Sequence, residues 1–189
     1  MSHTFLTLPP EWAGRSTERH VVLVGLPGCG KTTVGKAVAT QLGRAFLDLD
    51  QEIERREGSD IATIFAEKGE PYFRERERVV TSELAGIGGL VVSPGGGWIT
   101  NGDALVVLRP RAKLIYLKVK PETALKRMGA SRTSRPILVR PDPLGELRRL
   151  LVERGGAYDR ADEVIDTERM TAQQVIAKVA ALAPRRGAA

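Results

Sequence analysis

Short, largely apolar runs alternate with amphipathic stretches along most of this chain. The runs are His20–Val24, Ala45–Leu49, Leu90–Ser93, Lys113–Val119 and Glu163–Thr167, each of a length that suits one strand. Between the first two, Val34, Val38 and Leu42 share one face of a helix predicted over Lys31–Leu42, with Gly43 as its terminator. A helix over Gln51–Glu57 is expected next, and Ser59 is expected to cap another that carries Ile61, Ile64 and Phe65. Gly69-Glu-Pro71 predicts a break before a longer helix over Tyr72–Leu84. Further helices are predicted over Gly102–Leu108, Pro121–Met128 and Asp142–Tyr158. Thr171 and Gln174 have capping-box spacing, opening a last helix that runs to Leu182. Strands alternating with helices call for a parallel sheet covered on both faces. The expected fold is a three-layer α/β/α sandwich around five parallel strands.

Composition narrows the setting. A chain of 189 residues with 42% hydrophobic content can fill one core, expected over residues 20–182. Residues 1–19 carry no sustained period and read as an N-terminal extension, and residues 183–189 as a tail. No apolar run is long enough to cross a bilayer, and the first nineteen residues lack the apolar segment of a signal peptide. A single cysteine excludes an internal disulfide framework, so a cytoplasmic protein without a membrane partner is expected. The net charge of +6 comes from 21 arginines and 8 lysines. Aromatics are only 5% and no basic aromatic stripe occurs, which argues against nucleic acid as the partner. Arginine richness instead suits planar clamps on phosphates and carboxylates.

The chemistry starts at Gly25-Leu-Pro-Gly-Cys-Gly-Lys-Thr-Thr33, which fits G-x-x-x-x-G-K-[ST] between a strand and a helix. Gly28, Cys29, Gly30, Lys31, Thr32 and Thr33 are expected around nucleotide phosphates, with backbone N–H groups turned inward and the helix start adding positive potential. Lys31 would reach the outer phosphates, and the Thr32 hydroxyl would ligate Mg²⁺. Cys29 reads as an inert small residue. Asp48 and Asp50 alternate on strand two and would point the same way at its C-terminal end, where open α/β sheets bind ligands. Asp50 could instead cap the following helix. Arg74 and Glu77 lie three apart and should pair, whereas Arg76 and Arg78 point to solvent. Gly95, Gly96 and Gly97 directly follow a buried strand and suit close approach of a ligand to the backbone. Residues 129–141 are polar, basic and proline-punctuated; beside a phosphate site they read as a closing lid bearing Arg132, Arg135 and Arg140, against the plainer reading of a solvated loop.

Taken together, the loop, Asp48-Leu-Asp50, Phe73-Arg-x-x-Glu77, Gly95-Gly-Gly97 and Arg135-Pro-Ile-Leu138 resemble the shikimate kinases in order and spacing, over about residues 20–182. The resemblance implies a fold similar to nucleoside monophosphate kinases, with strand order 2-3-1-4-5. It also implies MgATP-dependent phosphorylation of the 3-hydroxyl of shikimate, in the chorismate route to aromatic amino acids, by a monomer. Asp50 would then hold the ring hydroxyls, including the attacking one. Arg74 and Arg154 would grip the carboxylate, and Gly95, Gly96 and Gly97 would line the same substrate. Asp48 would act on Mg²⁺ through water, and Arg135 would descend from the lid onto the phosphates. Arg127 is the nearest match to the family's adenine-facing arginine, with Arg132 competing for that place, and Arg169, after strand five, is a further candidate beside the adenine. The residues themselves fit such chemistry, because phosphoryl transfer needs alignment, charge neutralisation and exclusion of water rather than covalent help. Lys31, Mg²⁺ and Arg135 would supply the neutralisation. A gluconate-type kinase is disfavoured by the triple glycine and the Phe-Arg-x-x-Glu stretch. A kinase-like regulatory domain is disfavoured by the presence of both Asp50 and Arg135.

Overall fold

Five strands form one all-parallel sheet in the order β2-β3-β1-β4-β5. They are β1 (His20–Val24), β2 (Phe46–Asp48), β3 (Val91–Ser93), β4 (Ala112–Lys118) and β5 (Glu163–Asp166). The structure is a computed structural model and describes residues 18–129 and 141–184. The helices are α1 (Lys31–Leu42), α2 (Leu49–Glu57), α3 (Ile61–Leu84), α4 (Gly102–Leu108), α5 (Pro121–Met128), α6 (Pro143–Tyr158) and α7 (Ala172–Leu182). No helix among the described residues is long and apolar enough to cross a membrane.

The period of two along the strands builds two cores, one on each face of the sheet. Val22 and Val24 of β1, with Leu114 and Tyr116 of β4, face Ile53, Ile64, Phe73, Leu84, Leu108, Leu150 and Tyr158. Val21 and Leu23, with Ile115 and Leu117, face Val34, Val38, Ala124, Val175 and Val179. Helices α2, α3 and α4 therefore cover one face and α1, α5 and α7 the other. Every β1 residue is buried, which places the turn after Val24 at the centre of the C-terminal sheet edge. That edge is where doubly wound sheets bind ligands.

Local signals settle most boundaries. Gly43 ends α1 in the left-handed region (φ 60°, ψ 35°), and its N–H reaches the Ala39 and Thr40 carbonyls. Thr171 and Gln174 form the expected reciprocal cap on α7. The break expected at Gly69 is present: Gly69 leaves helical geometry at φ 78° and ψ 169°, with Pro71 beyond it, so α3 consists of two helical segments joined at a kink. Two expectations need correcting. Strand two stops at Asp48, whose carboxylate accepts the Gln51 N–H and caps α2, so Asp50 lies in the first turn of that helix rather than on the strand. A capping carboxylate available at Asp48 ends the strand one residue early, before Leu49. The cap of α3 is Asp60, not Ser59. Its Oδ1 accepts the Thr63 N–H at 2.7 Å, and an anion beside a helix start gains from the dipole as serine cannot.

Candidate active site

The loop after β1 is shaped by three glycines at positive φ: Gly25 (145°), Gly28 (82°) and Gly30 (102°). Gly25 also has no room for a side chain, since a Cβ there would lie 2.8 Å from the Leu117 carbonyl oxygen and 2.9 Å from Cys29 Sγ. The loop delivers the chain into α1 at Gly30, which has no side chain to cap the helix, and the first turn of α1 holds no acidic residue. Its leading N–H groups thus keep their positive end for an anion. By contrast α2, α3, α4, α6 and α7 each open on a side-chain cap.

Lys31 is buried and folds back across the loop, donating to the carbonyls of Gly25 (2.8 Å) and Leu26 (3.0 Å) and approaching Cys29 Sγ at 3.7 Å. Its ammonium is therefore held at the loop by neutral acceptors rather than by a carboxylate. Thr32 Oγ1 donates to Asp48 Oδ2 at 2.9 Å. Two hard oxygens, one neutral and one anionic, thus meet at the loop mouth, partly exposed, a donor pair of the kind that suits Mg²⁺. Among the described residues no group of three or more acidic, histidine or cysteine side chains could hold a metal by itself. This fits an ion that takes most of its ligands from phosphate and water. Thr33 is exposed one residue further along α1.

Across the sheet edge, β3 runs into Pro94 and Gly95–Gly97, and Ser93 pairs in register with Asp48. Each glycine faces one polar side chain from a different helix. A Cβ on Gly95 would collide with the Asp50 carboxylate, coming within 2.9 Å of Oδ2. One on Gly96 would lie 3.2 Å from Arg154 Nη1, and one on Gly97 would lie 2.6 Å from Arg74 Nη2. The strip is thus glycine because Asp50 from α2, Arg154 from α6 and Arg74 from α3 crowd against it. One carboxylate and two guanidinium groups converge over a strip of bare backbone.

Arg74 is oriented by two carboxylates: Glu77 at 2.7 Å, as the spacing predicts, and Glu70 at 2.8 Å. Glu77 is fully buried, and Asn101 Nδ2 also donates to it at 3.3 Å and to the Arg74 carbonyl at 3.2 Å. Burial pushes the Glu77 carboxyl above the usual glutamate range, against the pull of Arg74, Asn101 and Arg154. Arg154 differs: it is 9% exposed, and no carboxylate of the described residues lies within salt-bridge distance. A buried guanidinium without its own carboxylate is suited to an incoming one. Tyr158, one turn further along α6, donates its hydroxyl to the Gly96 carbonyl at 2.9 Å.

At the other end of the loop, Arg127 of α5 donates to the Thr167 hydroxyl (2.9 Å) and carbonyl (2.7 Å), which brings it beside the turn after β5. Arg169 is exposed in that same turn. The proposed lid over 129–141 falls largely on residues 130–140, and Arg132, Arg135 and Arg140 lie outside the described residues, as do residues 1–17. Arg78 is solvated as expected, its side chain 42% exposed in a surface pair with Glu75 at 2.6 Å, while Arg76 lies over the Tyr72 ring at 5.2 Å. Sequence reasoning missed Asn101 and Tyr158. Asn101 directly before a short apolar helix is a readable cap, and its Oδ1 does accept the Ala104 N–H, but nothing local links it to Glu77.

The sequence pattern of the shikimate kinases matches residues 27–183. The chain is 38% identical over 161 residues to the shikimate kinase of Pelotomaculum thermopropionicum, covering 85% of this chain and 93% of that one. It is 40% identical over 172 residues to that of Pseudomonas savastanoi pv. phaseolicola, covering 88% and 99%. Among solved structures, shikimate kinase from Acinetobacter baumannii in complex with shikimate superposes with a TM-score of 0.82 at 40% identity, covering 88% of this chain and 93% of that one.

Proposed function

The chain belongs to the shikimate kinase family, and we propose that it transfers the terminal phosphoryl group of ATP to the 3-hydroxyl of shikimate, giving shikimate 3-phosphate and ADP. The observation that carries this reading is the glycine strip, with Asp50, Arg154 and Arg74 packed against its three residues in turn. Two guanidinium groups suit the single carboxylate of shikimate, and one carboxylate suits its ring hydroxyls.

In this reading Arg74 and Arg154 fix the acceptor's carboxylate and so aim the ring, while Asp50 accepts a hydrogen bond from the 3-hydroxyl. That oxygen attacks the γ-phosphorus, the bond to the β-bridging oxygen breaks toward ADP, and the hydroxyl proton leaves late, with Asp50 placed to receive it. Backbone N–H groups of Gly28–Thr33 and the Lys31 ammonium offset phosphate charge as it shifts. Thr32 would hold Mg²⁺ directly and Asp48 through water; when bound, the ion neutralises the outer phosphates and orients them. Arg135 would add charge from the lid, and Arg127 and Arg169 would flank the adenine end. The enzyme is proposed to work as a cytoplasmic monomer in aromatic amino acid synthesis.

A coupled assay with MgATP and a panel of shikimate, gluconate and nucleoside monophosphates tests the reading. Gluconate is the sharpest competitor because it also offers a carboxylate and hydroxyls. Turnover is expected with shikimate and not with the others; no turnover of shikimate would overturn the proposal.

A further inference from the structure

We infer that Tyr158 is a positioning residue for the acceptor: it sets the Arg154 guanidinium in register with the glycine strip and, through Tyr116, with the phosphate loop. The inference rests on the acceptor being a carboxylate held by Arg154, as proposed above.

Arg154 is buried yet has no carboxylate of the described residues at salt-bridge distance, so its direction must be set by other neighbours. Tyr158 lies four residues on along α6, hence on the same face and one turn away. Its hydroxyl donates to the Gly96 carbonyl at 2.9 Å, while the Cα side of Gly96 faces Arg154 Nη1. One turn of α6 thus meets Gly96 from two directions, and the hydroxyl bond fixes where that turn, and the root of the Arg154 side chain, sits against the strip. The phenol is fully buried, and its ring stacks on Tyr116 with centroids 5.0 Å apart at 19°. Tyr116 is itself paired in register with Val24, the residue immediately before Gly25 of the loop. A continuous contact therefore runs from the loop strand through Tyr116 and Tyr158 to Gly96 and Arg154. Alignment of the two substrates depends on that distance being fixed, since sub-ångström placement governs the transfer rate.

Tyr158→Phe is the test, because it removes one oxygen and keeps the ring, the stack and the packed volume. With wild type and variant assayed side by side, KM for shikimate should rise about five- to tenfold, the loss expected for one buried hydrogen bond. KM for MgATP should stay within about twofold, as this bond touches no nucleotide-facing group. The methyl ester of shikimate, which lacks the charged carboxylate, should show about the same KM with both proteins. An unchanged KM for shikimate, or an equal rise for acid and ester, or an equal rise for shikimate and MgATP, would overturn the positioning role. If the wild type turns shikimate over while Tyr158→Phe gives any of those results, only the role of Tyr158 fails. If the wild type does not use shikimate, the functional reading fails and this inference with it.

Discussion

On one side of the cleft, α1 begins at Gly30 with no side-chain cap, no acidic residue in its own first turn, and a lysine that donates to backbone carbonyls. On the other side, several charged side chains of α2 and α3 are braced in pairs. Glu52 of α2 takes Arg55 at 2.8 Å and Arg56 at 2.7 Å, and Arg56 continues fork-to-fork onto Glu83 of α3 at 2.8 and 2.7 Å. Glu57 takes Lys68 and the Tyr72 hydroxyl, and Glu77 takes Arg74. The difference follows from what each side has to recognise. Phosphate is the same in every nucleotide and can be met by main-chain N–H groups, which need only a glycine-permitted turn. A small acid with several hydroxyls must be told from other small acids, which takes directed side chains, and long side chains need bracing to hold a direction. In the proposed function, donor binding is thus written into the backbone and acceptor choice into side chains on α2, α3 and α6.

The largest expected effect is at Asp50, the carboxylate packed against Gly95 of the strip. Asp50→Asn should lower turnover about 10²- to 10⁴-fold while nucleotide affinity, measured by calorimetry, stays near wild type. Loss of nucleotide affinity would show that the two sides are not separable. Gly95→Ala comes next. Its Cβ would meet the Asp50 carboxylate carbon at 3.0 Å, and overpacking of about 1–3 kcal/mol should raise KM for shikimate about five- to 150-fold. Equal disturbance of MgATP binding would blur the comparison.

A pH series separates two buried glutamates of the acceptor side. Burial pushes Glu52 up, but hydrogen bonds from Arg55 and Arg56 outweigh it and hold the carboxyl below the usual glutamate range. Its ionised form therefore stabilises the fold above the ordinary glutamate pKa, and that contribution fades as pH falls through the lowered value. Glu77 has the opposite sign: raised by burial, it favours the fold when protonated, and that advantage is lost as pH rises through its raised value. In denaturant titrations Glu52→Gln should be less stable than wild type at neutral pH, with the gap closing in acid. Glu77→Gln should gain on wild type as pH rises while weakening shikimate binding, since Arg74 loses its brace. The same pH trend for both variants would contradict this assignment. Smallest for function is Gly43→Ala, far from either substrate. It should cost about 1–2 kcal/mol of stability at its left-handed position and leave both KM values unchanged.

The parts that could be read from sequence are those whose partners are close along the chain. Gly43, the Thr171–Gln174 box and the Arg74–Glu77 pair all act over three or four residues, so spacing reveals them. The sheet order is also as the resemblance implied. Asp50 was misplaced because two aspartates flank one leucine, and periodicity cannot say which of them ends the strand. The cap at Asp48 decided it. Contacts such as Tyr158 with Gly96, Arg56 with Glu83 and Asn101 with Glu77 join residues separated by whole elements. They exist only once the helices are docked on the sheet.

The division between a backbone-read donor and a side-chain-read acceptor is tested most directly by both Michaelis constants of Arg154→Ala. Removing a buried charged partner of the carboxylate is worth about 1.5–3 kcal/mol, so KM for shikimate should rise about ten- to 150-fold. KM for MgATP should remain within about twofold of wild type. A shikimate KM that does not move, or a parallel rise for MgATP, would contradict the account.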